Sequence, residues 1–109
     1  MAIPHASPGQ PIDIRPLGTA LPEARTQALF KSDELEVIRL ILPAGKALPP
    51  HKVPGEITIQ CIEGKFEVTA DGVAHTLQAG HLLYIPAGVM HSLLGLENAS
   101  GLITIVLQK

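Results

Sequence analysis

Turn-forming residues recur along almost the whole sequence, and their spacing constrains the fold more than any other feature. Glycine and proline number ten each among 109 residues. From residue 32 onward, a cluster of turn formers interrupts the chain about every 6–12 residues. The runs between these clusters are short and rich in Val, Ile and Leu, which is typical of strands rather than of helices. The sequence therefore predicts eight or nine short strands and no convincing helix.

Two local patterns place hairpins in this series. Residues 25–31 and 35–42 are strand-like runs on either side of the turn cluster Ser32-Asp33-Glu34. Asp71-Gly72 is a two-residue turn signal between two further runs. Many short strands joined by tight turns indicate an all-β chain folded as an antiparallel barrel or double-sheet jelly roll. We expect one barrel domain over residues 25–109, preceded by a proline-rich arm or edge strand over residues 1–24.

Composition argues against several classes of protein. The net charge is −2 and only 3% of residues are aromatic, so we expect no nucleic-acid partner. No stretch of 18 apolar residues is present, so we expect no membrane span. The N-terminus lacks the basic and apolar segments of a signal peptide, and Cys61 is the only cysteine. These features predict a cytoplasmic location, without an intramolecular disulfide or a thiolate zinc site.

Two segments contain glycine, proline and histidine residues at characteristic spacings. The first is GKALPPHKVPGEITIQCIEG over residues 45–64, and the second is GHLLYIPAGVMHSLLG over residues 80–95. Together they resemble the paired signatures of the cupin superfamily, in the form found in small bacterial single-domain cupins. The resemblance implies an antiparallel double-sheet jelly-roll barrel with little or no helix. It does not by itself imply a reaction, because the same scaffold carries many chemistries.

Cupins with an intact site hold a divalent metal ion with three histidines and one glutamate. The resemblance retains two of these positions, His51 and His91, and replaces the other two with Val53 and Ile57. Glu56 stands one residue before the glutamate position and would point inward if the preceding Pro54-Gly55 turn formed a bulge. The metal prediction is therefore His51, His91 and Glu56 around one Fe, Ni, Mn, Zn or Cu ion, or no cofactor at all.

Strand alternation predicts which side chains line the barrel interior. If position 57 faces inward, Ile59 and Cys61 do too, while Glu56, Thr58 and Gln60 face outward. The predicted ligand pocket is a small aliphatic cavity with two imidazoles at its mouth. Its residues are His51, Val53, Ile57, Ile59, Cys61, Tyr84, Met90 and His91.

Three functions remain open from the sequence. The first is a barrel that binds a small molecule through a two-histidine, degenerate metal site. The second is a metal-dependent dioxygenase or isomerase that uses His51, His91 and Glu56. The third is a structural module without a ligand. A homodimer is expected in each case, because pairing would cover the exposed edges and apolar outer face of so small a jelly roll.

Overall fold

The computed structural model describes residues 6–107 of the chain. This part contains nine strands and one 3₁₀ helix of six residues. The strands are β1 (Gln27–Lys31), β2 (Leu35–Leu42), β3 (Ala47–His51), β4 (Ile57–Glu63), β5 (Lys65–Ala70), β6 (Val73–Gln78), β7 (Leu82–Ile85), β8 (His91–Gly95) and β9 (Ala99–Val106), and the helix is Gly18–Glu23.

The strands form two antiparallel sheets. One sheet has five strands in the order β1-β2-β9-β4-β7, and the other has four in the order β3-β8-β5-β6. Neighbouring strands are antiparallel throughout both sheets. The predicted all-β double-sheet jelly roll with little or no helix is confirmed. No helix among residues 6–107 has the length and apolar character needed to cross a bilayer.

Both predicted hairpins are present. β1 pairs with β2 across the turn at residues 32–34, and β5 pairs with β6 across Asp71-Gly72. Asp71 has a φ of 51° and Gly72 a φ of 79°. Both central residues of this turn therefore lie in the left-handed region, as a type I′ hairpin requires.

The core lies between the two sheets and is almost entirely aliphatic. Along β4 the residues alternate between the interior and the outer face, so Ile57, Ile59 and Cys61 are buried. They pack with Phe66 and Val68 from β5 of the opposite sheet. Since all five side chains are at most 3% exposed, the centre of the barrel is filled by its own residues.

The segment from residue 13 to residue 24, called the strap below, lies over the outer face of the five-stranded sheet. Leu21 anchors it as a buried apolar residue, and the backbone N–H groups of Leu17 and Gly18 donate hydrogen bonds to the carboxylate of Glu63 on β4. Further upstream, the N–H of Ala6 donates to the carbonyl of Leu29 in edge strand β1. Residues 1–5 of the predicted arm lie outside the described part.

Candidate functional site

Backbone hydrogen bonds join the two motif segments at both ends. At one end, the N–H of Gly45 donates to the carbonyl of Gly95 at 2.8 Å, and the N–H of Gly95 donates to Lys46 at 2.9 Å. At the other end, the N–H of Gly88 donates to the carbonyl of Val53 at 3.0 Å. Between these bonds, β3 of the first segment pairs with β8 of the second. The barrel mouth is therefore built from both motifs.

Gly95 occupies the position where the cupin pattern has asparagine. It is buried, and a Cβ atom there would overlap the backbone carbonyl of Pro43. The chain following β2 passes so close to β8 that only glycine fits without a shift of the backbone. This departure from the family pattern is a packing requirement of the β2 and β8 ends.

His51 and His91 meet at the barrel mouth as a cross-strand pair. Their ring centroids are 4.3 Å apart and the rings are tilted by 55°. His91 is only 3% exposed, whereas His51 is exposed. Burial lowers the pKa of His91 below its ordinary value, and the neighbouring His51 lowers it further, although a hydrogen bond with the Val89 carbonyl acts in the opposite direction. His91 is therefore a neutral imidazole near neutral pH.

The pair lies at the end of edge strand β3, which contains two consecutive prolines. Pro49-Pro50 cannot donate backbone hydrogen bonds, which suits the outer position of β3 in its sheet. The register between β3 and β8 shifts between Leu48 and His51. This irregularity places His51 opposite His91.

The residues predicted to line a cavity below the histidines do face inward, but their side chains are tightly packed. Ile57, Ile59 and Cys61 face inward as alternation required, and all three are buried. Burial raises the pKa of the Cys61 thiol. Its Sγ lies 3.6 Å from the carbonyl oxygens of Glu63 and Gly64, at the opposite end of β4 from Ile57. These side chains belong to the packed core of the barrel.

Glu56 and Tyr84 lie outside the barrel. Strand alternation predicted this position for Glu56, whereas the metal prediction needed a bulge to turn it inward. Tyr84 was expected in the pocket, so its position differs from the prediction. The phenol of Tyr84 donates a hydrogen bond of 2.7 Å to Glu56 Oε1, and both residues are exposed. Alternation along β7 turns Leu83 and Ile85 inward and leaves Tyr84 on the outer face. Because Glu56 is engaged there, it does not join the two histidines. Met90, expected in the pocket, is 48% exposed.

A surface cavity of about 300 Å³ opens between the loops that follow His51 and precede His91. It is lined by Lys52, Val53, Pro54 and Gly88. Val53 is half-buried and packs against the core, so one wall of this cavity is apolar. This cavity lies in the loops next to the histidine pair, and neither imidazole lines it.

The side chains at the mouth do not fit the metal centre that the cupin pattern implies. A transition-metal site in a protein ordinarily uses three or four protein ligands. Within residues 6–107, no group of three or more His, Cys, Asp or Glu side chains is placed to hold a metal ion. His51 and His91 remain as two imidazoles, with Val53 and Ile57 where the other ligands would stand.

A second polar cluster was missed by sequence reasoning. It lies under the strap, where Nη2 of Arg39 is 2.9 Å from the Arg15 carbonyl, 3.0 Å from Ser100 Oγ and 3.5 Å from Glu63 Oε2. The Ser100 hydroxyl in turn donates to Glu63. Arg39 is 6% exposed. The available signal was a charged residue at position 39 inside an aliphatic strand, because such a charge needs a partner when buried.

Comparisons with known proteins agree with this architecture. A cupin superfamily protein from Desulfitobacterium hafniense superposes with a TM-score of 0.76 at 22% identity, over 89% of this chain and 94% of that one. An RmlC-like cupin from Shewanella frigidimarina gives 0.72 at 24% identity, over 77% and 76%. KdgF from a Halomonas species gives 0.71 at 19% identity, over 77% and 78%. Identities this low show a shared fold alone.

The family assignment rests on the sequence match. No curated protein matches the chain. The family model described as "Cupin domain", however, matches residues 38–105, which include both motif segments and run from β2 to β9. The chain is therefore a member of the cupin family.

Proposed function

We propose that this cupin binds a small molecule at the barrel mouth through His51 and His91, without a resident metal centre of the usual kind. The observation that carries the proposal is the histidine pair itself, with a buried and an exposed imidazole in contact at 4.3 Å. A cavity of about 300 Å³ lies in the adjoining loops. Concave sites with an apolar wall and a few polar groups are the usual form of ligand pockets.

The experiment compares metal content and ligand-dependent melting temperature. Wild-type protein purified without chelators is analysed for metals and screened against small molecules, beside His51→Ala and His91→Ala. His81→Ala is the matched control, because His81 is exposed and belongs to the segment between β6 and β7. We expect metal well below one equivalent per chain. We also expect a compound that raises the melting temperature of wild type and His81→Ala but of neither mouth variant.

The opposite result would favour a metal-dependent enzyme. About one equivalent of Fe, Ni, Mn, Zn or Cu per chain, lost in both mouth variants and kept in His81→Ala, would contradict the proposal. Ligand-induced stabilisation that persists in both mouth variants would place the binding site elsewhere on the protein.

The proposal includes a homodimer. The outer face of edge strand β7 exposes two large side chains, Leu82 at 64% and Tyr84 at 56%, beside the outward-facing Thr58 and Gln60 of β4. Exposed apolar side chains along a sheet edge favour pairing with a second copy. Sedimentation at micromolar concentration should return twice the mass of one chain, and Leu82→Lys should shift it toward the monomer. A monomeric wild type would refute the dimer.

A further inference from the structure

The two imidazoles at the mouth are held in the same tautomer by the backbone. Nδ1 of His51 lies 3.2 Å from the carbonyl oxygen of Pro49, and Nδ1 of His91 lies 3.2 Å from that of Val89. A carbonyl oxygen only accepts hydrogen bonds, so Nδ1 carries the proton in each ring. In the neutral form, Nε2 of each ring is then left as an acceptor.

These two acceptors cannot satisfy each other. With both Nδ1–H groups directed at backbone carbonyls, neither neutral ring has a proton to give across the 4.3 Å that separates the ring centroids. His91 is 3% exposed as a residue, but Nε of Arg39 is the only buried side-chain N or O atom of residues 6–107 that lacks a hydrogen-bond partner. Nε2 of His91 therefore still meets water, which the donor group of a ligand would replace. The pair therefore favours any molecule that brings a donor.

The surroundings of the pair supply apolar contact. Val53 and Ile57 stand where the cupin pattern has polar ligands. The Tyr84 hydroxyl, a donor near this end of the barrel, is already bonded to Glu56 on the outer face. Lys52 lines the adjoining cavity, and its ammonium group adds a donor there.

We infer that the mouth selects small molecules that carry an N–H or O–H donor beside a compact apolar body, with the donor held by Nε2 of His51 and His91. The inference rests on the proposed function and names its class of ligand. Because the ring centroids are 4.3 Å apart, we expect a single small molecule to contact both rings.

His81 serves as an internal control for the tautomer assignment. Nδ1 of His81 lies 3.2 Å from the backbone N–H of Gln78, which donates to it. A ring nitrogen that accepts cannot carry a proton, so neutral His81 must be protonated at Nε2. Long-range ¹H–¹⁵N correlation spectra above pH 7.5 should therefore show opposite tautomers for His81 and for the mouth pair. The same tautomer in all three rings would overturn the inference.

The ligand class is tested with two probes that differ by one donor. Pyrazole has a ring N–H, and 1-methylpyrazole replaces it with a methyl group. Titrations of ¹⁵N-labelled wild type should show pyrazole binding about fivefold more tightly, because that is the typical net contribution of one hydrogen bond. The largest ¹⁵N shifts should be at Nε2 of His51 and His91. His51→Leu should remove the difference, whereas His81→Leu should keep it.

The outcomes separate this inference from the proposed function. Equal binding of both probes at the mouth would overturn donor selection while leaving a small-molecule site in place. No binding of either probe would overturn the inference as well, and the melting-temperature screen would then judge the proposed function independently.

Discussion

Two polar clusters in this barrel are built from comparable numbers of side chains but differ in how they are satisfied. Under the strap, the carboxylate of Glu63 receives hydrogen bonds from Ser100, from two backbone N–H groups and from Arg39. At the mouth, His51 and His91 each bond one backbone carbonyl and leave the second ring nitrogen as an acceptor. One cluster pairs opposite charges, although Nε of Arg39 is the one buried side-chain N or O atom of residues 6–107 without a hydrogen-bond partner. The other cluster brings two acceptors together.

The difference supports the proposal that the strap cluster serves the fold and the mouth pair serves a ligand. A buried charge is tolerated when partners surround it, and the Glu63 cluster fastens the strap to the sheet in this way. Two neighbouring acceptors contribute little to folding, because the hydrogen-bond donors that they need must come from outside the chain. Perturbing each cluster in turn should therefore change stability in one case and binding in the other.

The largest effect is expected from Glu63→Gln. The substitution keeps the size of the side chain but leaves the charge of Arg39 buried without a counter-ion, which should lower the free energy of unfolding by about 3 kcal/mol. Urea denaturation measures this. Glu97→Gln is the matched control, because its ion pair with Lys65 is 3.8 Å long and exposed, and it should change stability by no more than about 0.5 kcal/mol. Equal effects of the two substitutions would contradict the prediction that the buried ion pair matters more than the exposed one.

Acid should destabilise the protein in two steps, of which the upper belongs to the mouth. Burial lowers the pKa of His91 in the folded state, so the unfolded chain takes up a proton more readily. Stability present at neutral pH should be lost as the pH falls from about 6.5 through the folded pKa. His91→Leu should remove this step from a plot of unfolding free energy against pH.

The lower step belongs to Glu63. Burial acts to raise the pKa of this carboxyl, but the hydrogen bonds from Ser100, Leu17 and Gly18 and the charge of Arg39 outweigh it, so the pKa is lowered. Its contribution is present above the ordinary glutamate value of about 4.3 and is lost as the pH falls through the folded pKa. Glu63→Gln should abolish this step and keep the upper one; loss of both steps would argue against two independent clusters.

A smaller effect on stability is expected when both mouth histidines are replaced. His51→Leu with His91→Leu removes two acceptors and two backbone contacts and adds apolar surface, so the free energy of unfolding should change by no more than about 1 kcal/mol. The discrimination between pyrazole and its methylated form should disappear. A loss of stability as large as that of Glu63→Gln would show that the pair is structural.

The smallest effect is expected from Tyr84→Phe. The phenol and Glu56 are both exposed, and the pKa of Tyr84 is raised by its hydrogen bond to that carboxylate and only secondarily by burial. Removing the hydroxyl should leave the melting temperature and probe binding unchanged. A change in probe binding would show that Glu56, once released, reaches the mouth.

Regular spacing made the fold predictable. Turn residues, aliphatic runs and the Asp71-Gly72 signal are local, and they placed the strands and both hairpins. The motif spacings also identified His51 and His91, which the structure brings together. Alternation correctly turned Ile57, Ile59 and Cys61 inward, because a side-chain period of two follows directly from strand geometry.

The remainder of the site depends on contacts between distant segments. Whether Tyr84 and Glu56 face the pocket depends on the phase of strand alternation at the ends of β7 and β4, and the sequence patterns left that phase undetermined for Tyr84. The partners of Arg39 lie 24 and 61 residues away along the chain, so no local pattern reveals them. The sequence by itself determined a cupin jelly roll with two histidines in motif positions. Only the tertiary structure decided which polar groups find partners inside the fold, because that depends on the packing of distant segments.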